Sequence, residues 1–246
     1  MFWSSLGHTE ELDESIILPE VEVRATHDSH FEAASQHTVT EQDIELQVFD
    51  RPANVLRMVP GLITTNPGGG PGKPDNYLLR GFDADHGTDL AGFLDGMPLN
   101  LRSHAHGQGY LDLNFLIPET MKRVDAYKGP YQVQFGDFAT AGAVNFVTRD
   151  VVEEGMVQVS SGQFNTQRQL LMFSPTKATV RSLVAVEGFY TDGPYVNPNR
   201  ALRVNGLAKA TMNPTTRSEL SITGTHYQGR WNSPGEIPLR AVESGL

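Results

Sequence analysis

Two short stretches hold the side chains best able to do chemistry. One is Arg102-Ser103-His104-Ala105-His106-Gly107-Gln108-Gly109-Tyr110. A His-x-His pair there can direct both imidazoles to one side of the backbone. The other stretch holds Asp83, Asp85 and His86. Three imidazoles and two carboxylates suit a transition metal such as zinc, copper or nickel. His86, His104 and His106 are therefore the candidate metal ligands. The plainer reading is a Gly-rich surface loop in which His104 hydrogen-bonds locally. Other chemistry fails at the motif level. Pro67 stands where the first Gly of a phosphate loop belongs, and Pro74 follows Lys73 in place of Ser or Thr. The Asp83-Ala84-Asp85 run lacks the closing Glu of a calcium loop, because Leu94 holds that position. No Gly-x-Ser-x-Gly elbow is present. His27, His30 and His37 read as solvated.

Elements must position those residues. The chain has 246 residues, with 24 Gly and 15 Pro, which favours strands and turns over helices. A net charge of -10 argues against a nucleic-acid partner, which needs a basic face. With no cysteine, disulfides and thiolate metal sites are excluded. No apolar run reaches the ~20 residues of a membrane helix, so any membrane crossing must use strands. Met1–Gly7 lacks a cationic start and an apolar core, so an exported protein would need a leader from outside this reading frame.

The pattern divides the chain at 1–37, 38–150 and 151–246. The first part is an acidic arm containing Leu18-Pro19-Glu20-Val21-Glu22-Val23, in which Pro19 favours an extended peptide. The second reads as a compact mixed α/β unit. Thr40 is expected to cap a helix, with Asp43 in the reciprocal position. Pro52 opens a second helix through Val55, Leu56 and Val59, ended by Pro60-Gly61. Residues 66–74 are a Gly/Pro loop. Strands are expected at 77–80, 90–95, 124–127 and 143–147. Asp95-Gly96 signals a tight hairpin, and Gly81 and Gly96 are expected to turn where a Cβ would clash.

After Asp150 the period becomes two. Leu202, Val204, Gly206, Ala208, Ala210 and Met212 alternate with Arg203, Asn205, Leu207, Lys209, Thr211 and Asn213. Leu220 and Ile222 alternate with Glu219, Ser221 and Thr223. Residues 180–190 fit less cleanly, since Leu183 and Phe189 share a face with Arg181 and Glu187. Tight turns at 174–177 and 213–216 alternate with longer loops at 191–200 and after Gln228. Tyr190, Tyr195, Tyr227 and Trp231 fall near the loop ends, where an aromatic girdle would lie. This is the layout of an outer-membrane barrel. A soluble periplasmic sandwich with one buried face fits the alternation but not the connection lengths. Four such strands cannot close a barrel, so the chain is expected to be a fragment.

In order, the segments resemble the plug domain of TonB-dependent outer-membrane receptors. Leu18–Val23 resembles the box offered to TonB. Asp50–Leu56 and Val59-Pro60-Gly61-Leu62 resemble the family's helix and "PGV" turn, and Leu79-Arg80-Gly81-Phe82 its "IRG" strand end. Phe93–Asn100 resembles the "IDGVP" hairpin. Met121–Pro130 resembles "IERIEVVRGP", which includes Arg123 and Gly129. Phe135-Gly136 and Ala141–Thr148 resemble the closing "YG…GGVINIIT". The resemblance covers about 18 to 150.

It implies a plug followed by the first strands of an incomplete 22-stranded-type barrel in the Gram-negative outer membrane, facing periplasm and barrel lumen. It implies energised import of a scarce small substrate, a transported transition metal or metal chelate being favoured. TonB with ExbB and ExbD would be the partners, beside outer-membrane lipid. No cofactor and no covalent chemistry are required, so no enzyme is expected. Plug arginines of the family face barrel glutamates, which is the role implied for Arg80 and Arg123. The loops at 66–76, 83–88 and 102–110 would face outward. Ligand contacts would then come from Asp83, Asp85, His86, Arg102, His104, His106, Gln108 and Tyr110. A receptor that signals instead of transporting is the related alternative.

Overall fold

The computed structural model describes residues 35–67, 73, 75–175, 179–233 and 237–245. The TonB-box-like segment Leu18–Val23, the Gly-rich tip at 68–72 and part of the turn at 174–177 lie outside them.

The first unit contains β1 (Ser35–Thr40), α1 (Glu41–Glu45), a 3-10 helix (Pro52–Met58), β2 (Leu62–Thr65), β3 (Asn76–Leu79), β4 (Phe82–Asp83), β5 (Leu90–Leu94), β6 (Met97–Pro98), β7 (Met121–Lys128) and β8 (Gly142–Thr148). Thr40 caps α1 reciprocally. Its hydroxyl accepts from the Asp43 N–H at 3.3 Å, and the Asp43 carboxylate accepts from the Thr40 N–H at 2.9 Å. Those Thr40 bonds hold the Asp43 carboxyl below its ordinary value. Pro52 does open a helix, but of the tighter 3-10 form. Five consecutive residues, Pro52–Leu56, are buried there, so packing from all sides overrides an α-helical stripe. β1 begins at Ser35, inside the segment expected to be arm.

A five-stranded sheet runs β1-β7-β8-β5-β6, and β2-β3-β4 form a small second sheet. Among the described residues only β5 and β8 pair in parallel. All five residues of β5 are buried, as its continuous apolar run requires. Val39, Ile44, Leu56, Tyr77, Leu90, Leu113, Met121, Val124 and Phe146 form the core. Asp95-Gly96 joins β5 to β6 as a two-residue turn, with φ of 49° and 81°. Nothing lies within 4 Å of a Cβ built at Gly81 or Gly96. Positive φ, not a clash, is what these glycines serve.

The second unit is an antiparallel meander of β9 (Met156–Gly162), β10 (Thr166–Phe173), β11 (Val180–Thr191), β12 (Ala201–Thr215) and β13 (Ser218–Arg230), followed by α2 (Leu239–Glu243). The meander has five strands where alternation suggested four. β9 escaped notice because only Val157 and Val159 mark its apolar face. The turn into β13 is two residues, Thr216-Arg217, while the β11–β12 loop spans 192–200.

The faces are inverted relative to a soluble protein. Arg203, Asn205, Lys209 and Thr211 are buried, whereas Leu202, Val186, Val157, Val159 and Ile222 are exposed. The polar row packs on the plug and the apolar row faces outward, which is the arrangement of a lipid-facing wall. This disposes of the sandwich reading, which buries the apolar face. It also explains 180–190: Arg181, Leu183, Glu187 and Phe189 all point inward. Ile117 of the plug packs among Leu170, Met172, Leu183, Ala185 and Leu207 on that inner face. Tyr227 pairs with Asn205 and so faces the plug, leaving the expected girdle.

Candidate functional site

Leu101 bridges Tyr110, closing the 102–109 loop against the 83–88 loop. Asn100 fixes both. Its amide nitrogen donates to the carbonyls of Gly87, Leu90 and Gly109 at 3.0, 3.0 and 2.8 Å, and its oxygen accepts from Gly92 N–H at 2.7 Å. As part of the hairpin motif, Asn100 gave no sign of this in sequence.

The loops bring His86, His104, His106 and Tyr110 together. His104 stacks on Tyr110 with ring centroids 4.2 Å apart and planes at 15°. His86 meets His106 edge-on at 4.4 Å. Tyr110 lies 5.9 Å from His106 and 6.2 Å from His86, which makes it the hub. Burial and the nearby Asp112 push the Tyr110 phenol up to about 12, so it stays neutral.

Hydrogen bonding sets the tautomers. His86 Nδ1 is 2.9 Å from the Asp75 carbonyl, which can only accept, so Nδ1 carries a proton. Its Nε2 is 3.5 Å from Asp85 Oδ1. His104 Nδ1 accepts from the His106 N–H at 3.1 Å, so its lone pair is already engaged. Among the described residues, no group of three His, Asp or Glu converges as a metal site. The rings meet by faces and edges instead.

Asp83 is exposed, and its carboxylate accepts from the Asp85 N–H at 2.8 Å, an Asx turn that orders the loop. Gln108 contributes its backbone carbonyl to Thr88 Oγ1 at 2.9 Å. Arg102 lines a separate depression with Phe135 and Phe138. Beneath the cluster, Asp75 is buried against Arg51, Nη1–Oδ1 2.6 Å. Burial pushes the Asp75 carboxyl up, partly countered by Arg51 and the Asn66 amide.

Among the described residues the ionic contacts between plug and wall do not use Arg80 or Arg123. Arg80 is exposed at φ 55°, and Arg123 pairs with Asp125 on its own strand at 2.9 Å. Neither meets a wall carboxylate among the described residues. Burial and the like charge of Arg80 lower the Lys128 ammonium. Gly129 and Gly136 sit at turns with φ of 96° and 60°.

In this stretch the polarity is reversed, with the cations on the wall. Arg168 binds Glu119 of the plug and also Glu187 beside it on the wall. Arg203 and Asn205 converge on the same Glu187, and Asn205 also donates to the plug carbonyls of Asn114 and Leu116. Further along, Lys209 Nζ lies 2.9 Å from Asp150, 3.4 Å from Asp95 and 2.9 Å from Thr148 Oγ1. Sequence alternation marked these inward residues as polar but not as partners of the plug.

A plug keyed by buried charges to an inside-out antiparallel sheet is the fold of a barrel-wall segment with its plug. Residues 30–143 match the family model of the TonB-dependent receptor plug domain. The chain thus carries such a plug, followed by antiparallel strands of the receptor barrel. Over 145 residues it is 28% identical to the vitamin B12 transporter BtuB of Vibrio vulnificus strain CMCP6, covering 59% of this chain and 22% of that one. Its fold is similar to the copper transporter OprC, with TM-score 0.62 and 17% identity, covering 82% of this chain and 31% of that one. It is likewise similar to the siderophore receptor PiuA from Acinetobacter baumannii, with TM-score 0.61 and 20% identity, covering 85% and 29%. The chain therefore spans between about a fifth and a third of the length of these relatives.

Proposed function

We propose that this chain is the plug and opening wall of a receptor that imports a transition metal or its chelate, energised by TonB with ExbB and ExbD. The observation that carries the metal reading is the His86–His106 contact at 4.4 Å, with His86 Nε2 3.5 Å from Asp85 Oδ1. Imidazole with a flanking carboxylate suits copper, zinc or nickel. His104 and Tyr110 would wall the site, and Gln108 and Asp83 would rim it. The relatives that carry copper, siderophores and vitamin B12 are compatible with metal-containing cargo. TonB would engage the Leu18–Val23 segment by strand addition.

Calorimetric titration of the detergent-purified chain with Cu(II), Zn(II) and Ni(II) tests the site. We expect saturable binding of at least one ion, lost in His86→Ala with His106→Ala. Absence of heat for all three, or binding by His86→Ala with His106→Ala equal to that of the natural chain, rules the metal reading out.

A further inference from the structure

The outward face of the wall is not apolar along its whole height. Cross-strand pairing sorts it into rows. Phe173, Val184 and Ala208 form one apolar row, and Leu171, Val186 and Gly206 form the next. Toward the 192–200 loop the composition changes. Gln169, Gly188, Val204 and Gln228 share a row, and Gln167, Tyr190, Leu202 and Arg230 share the row beyond it. The three glutamines and Arg230 are all exposed. Lipid tails offer no hydrogen bonds, so amides and a guanidinium on a lipid-facing surface place these rows at headgroup level. We propose that this rim holds the phosphate of an anionic membrane lipid, with Arg230 and Arg200 as the cations and with Leu202 and Val204 under the acyl chains.

Every group in that arrangement is reachable from outside. Arg230 stands directly opposite Leu202, which is 47% exposed, so both project outward. Arg200 precedes the same strand, is exposed, and places its charge where it acts on the Tyr190 hydroxyl. Among the described residues neither arginine forms an ion pair, whereas the inward Arg168 and Arg203 are matched by Glu187. Asp192 stands nearby, but its carboxylate already accepts from the Tyr190 hydroxyl at 2.7 Å and from the Asn165 amide at 3.3 Å. Two guanidiniums against one carboxylate leave the rim cationic. A guanidinium binds phosphate oxygens through parallel bonds, and its methylenes can lie on an apolar row while the charge reaches the headgroups.

The two ends of the wall differ. At the end with the two-residue Thr216-Arg217 turn, the last outward row is Val180, Met212 and Leu220. The cations therefore favour one leaflet, the one beside the long 192–200 loop, which is the extracellular side of such a barrel. A free phosphate ion would gain nothing from Leu202 and Val204. A lipid uses the charge and the apolar row together, which is why a lipid and not a dissolved anion is the occupant.

Native mass spectrometry of the detergent-purified chain, titrated with dioleoyl phosphatidic acid or dioleoyl phosphatidylcholine, tests the site. Phosphatidic acid should bind saturably and about fivefold more tightly than phosphatidylcholine, the effect of one basic residue at an anionic surface. Arg200→Gln with Arg230→Gln alters exposed side chains and should abolish that preference with circular dichroism unchanged. Arg200→Lys with Arg230→Lys keeps the charge and should retain most of it. Arg217→Gln, in the turn at the opposite end, and His86→Ala with His106→Ala should leave it unaffected. Millimolar inorganic phosphate should not displace the lipid. No preference for phosphatidic acid, a preference that survives the double Gln variant, equal loss in Arg217→Gln, or displacement by inorganic phosphate would each overturn the proposal.

Discussion

Arg168 on the wall and Glu119 on the plug form a two-bonded ion pair, Nη1–Oε1 2.7 Å and Nη2–Oε2 2.9 Å. The fork geometry makes this contact directional as well as strong. Arg168 keeps Glu187 when Glu119 is lost, so no bare charge is stranded. Glu119→Gln is therefore expected to cost about 1.5–3 kcal/mol, the range for a hydrogen bond to a charged group. Thermal unfolding in detergent, in a double-mutant cycle with Arg168→Gln, measures the coupling. Additive effects within about 0.5 kcal/mol would show that the plug is not keyed here.

Asn100 joins the two histidine-bearing loops through four hydrogen bonds to backbone groups. Asn100→Ala should destabilise the plug by about 2–3 kcal/mol, because the Gly92 N–H is left buried without its acceptor. Hydrogen exchange should quicken at Gly92 and across the 102–109 loop. Asn100→Asp should be at least as harmful, since a carboxylate would then face three carbonyl oxygens. Unchanged protection in both variants would remove Asn100 from its organising role.

Local rules made much of this legible. The Thr40–Asp43 cap, the Asp95-Gly96 hairpin and the long period-two strands follow from neighbours in sequence, and the structure contains all three. What failed depended on register between distant elements. Arg168 and Glu119 are 49 residues apart, and their meeting needs the wall to sit on the plug in one registration. Apolar neighbours suggest partial burial for Arg80 and Arg123, and within this chain Arg80 is exposed at positive φ. The histidines were visible as a set. That Tyr110 would stack on His104 and engage the ring by its face was not, because loop closure at Leu101 and Tyr110 decides it.

The outward row of the wall predicts a sided response to charge. Val186 is 47% exposed in mid-strand, between Leu171 and Gly206. Val186→Arg should cost about 2–4 kcal/mol in a bilayer, the penalty for a cation at the membrane midplane. The same change at Val196, fully exposed in the loop, should be neutral. Urea titration after reconstitution into liposomes compares the two. Equal tolerance at both positions would mean that water, not lipid, covers this face.

Asp150 gives the plug–wall contact a defined acid limit. Burial pushes its carboxyl up, but the hydrogen bond and charge of Lys209, with help from Thr211 and Arg181, outweigh burial and hold it below the ordinary 3.8. A lowered folded-state value means that the stabilisation is complete above 3.8 and fades as pH falls through the folded value. Asp150 is 35% exposed, so its charge is worth no more than about 1 kcal/mol after solvent screening. Asp150→Asn mimics the protonated side chain. The stability gap between the natural chain and this variant should therefore be flat from about pH 7 to pH 5 and should close as the solution is acidified below 3.8. Unfolding midpoints across that range check the sign. A gap that widens on acidification would mean that Lys209 does not hold Asp150 in its charged form.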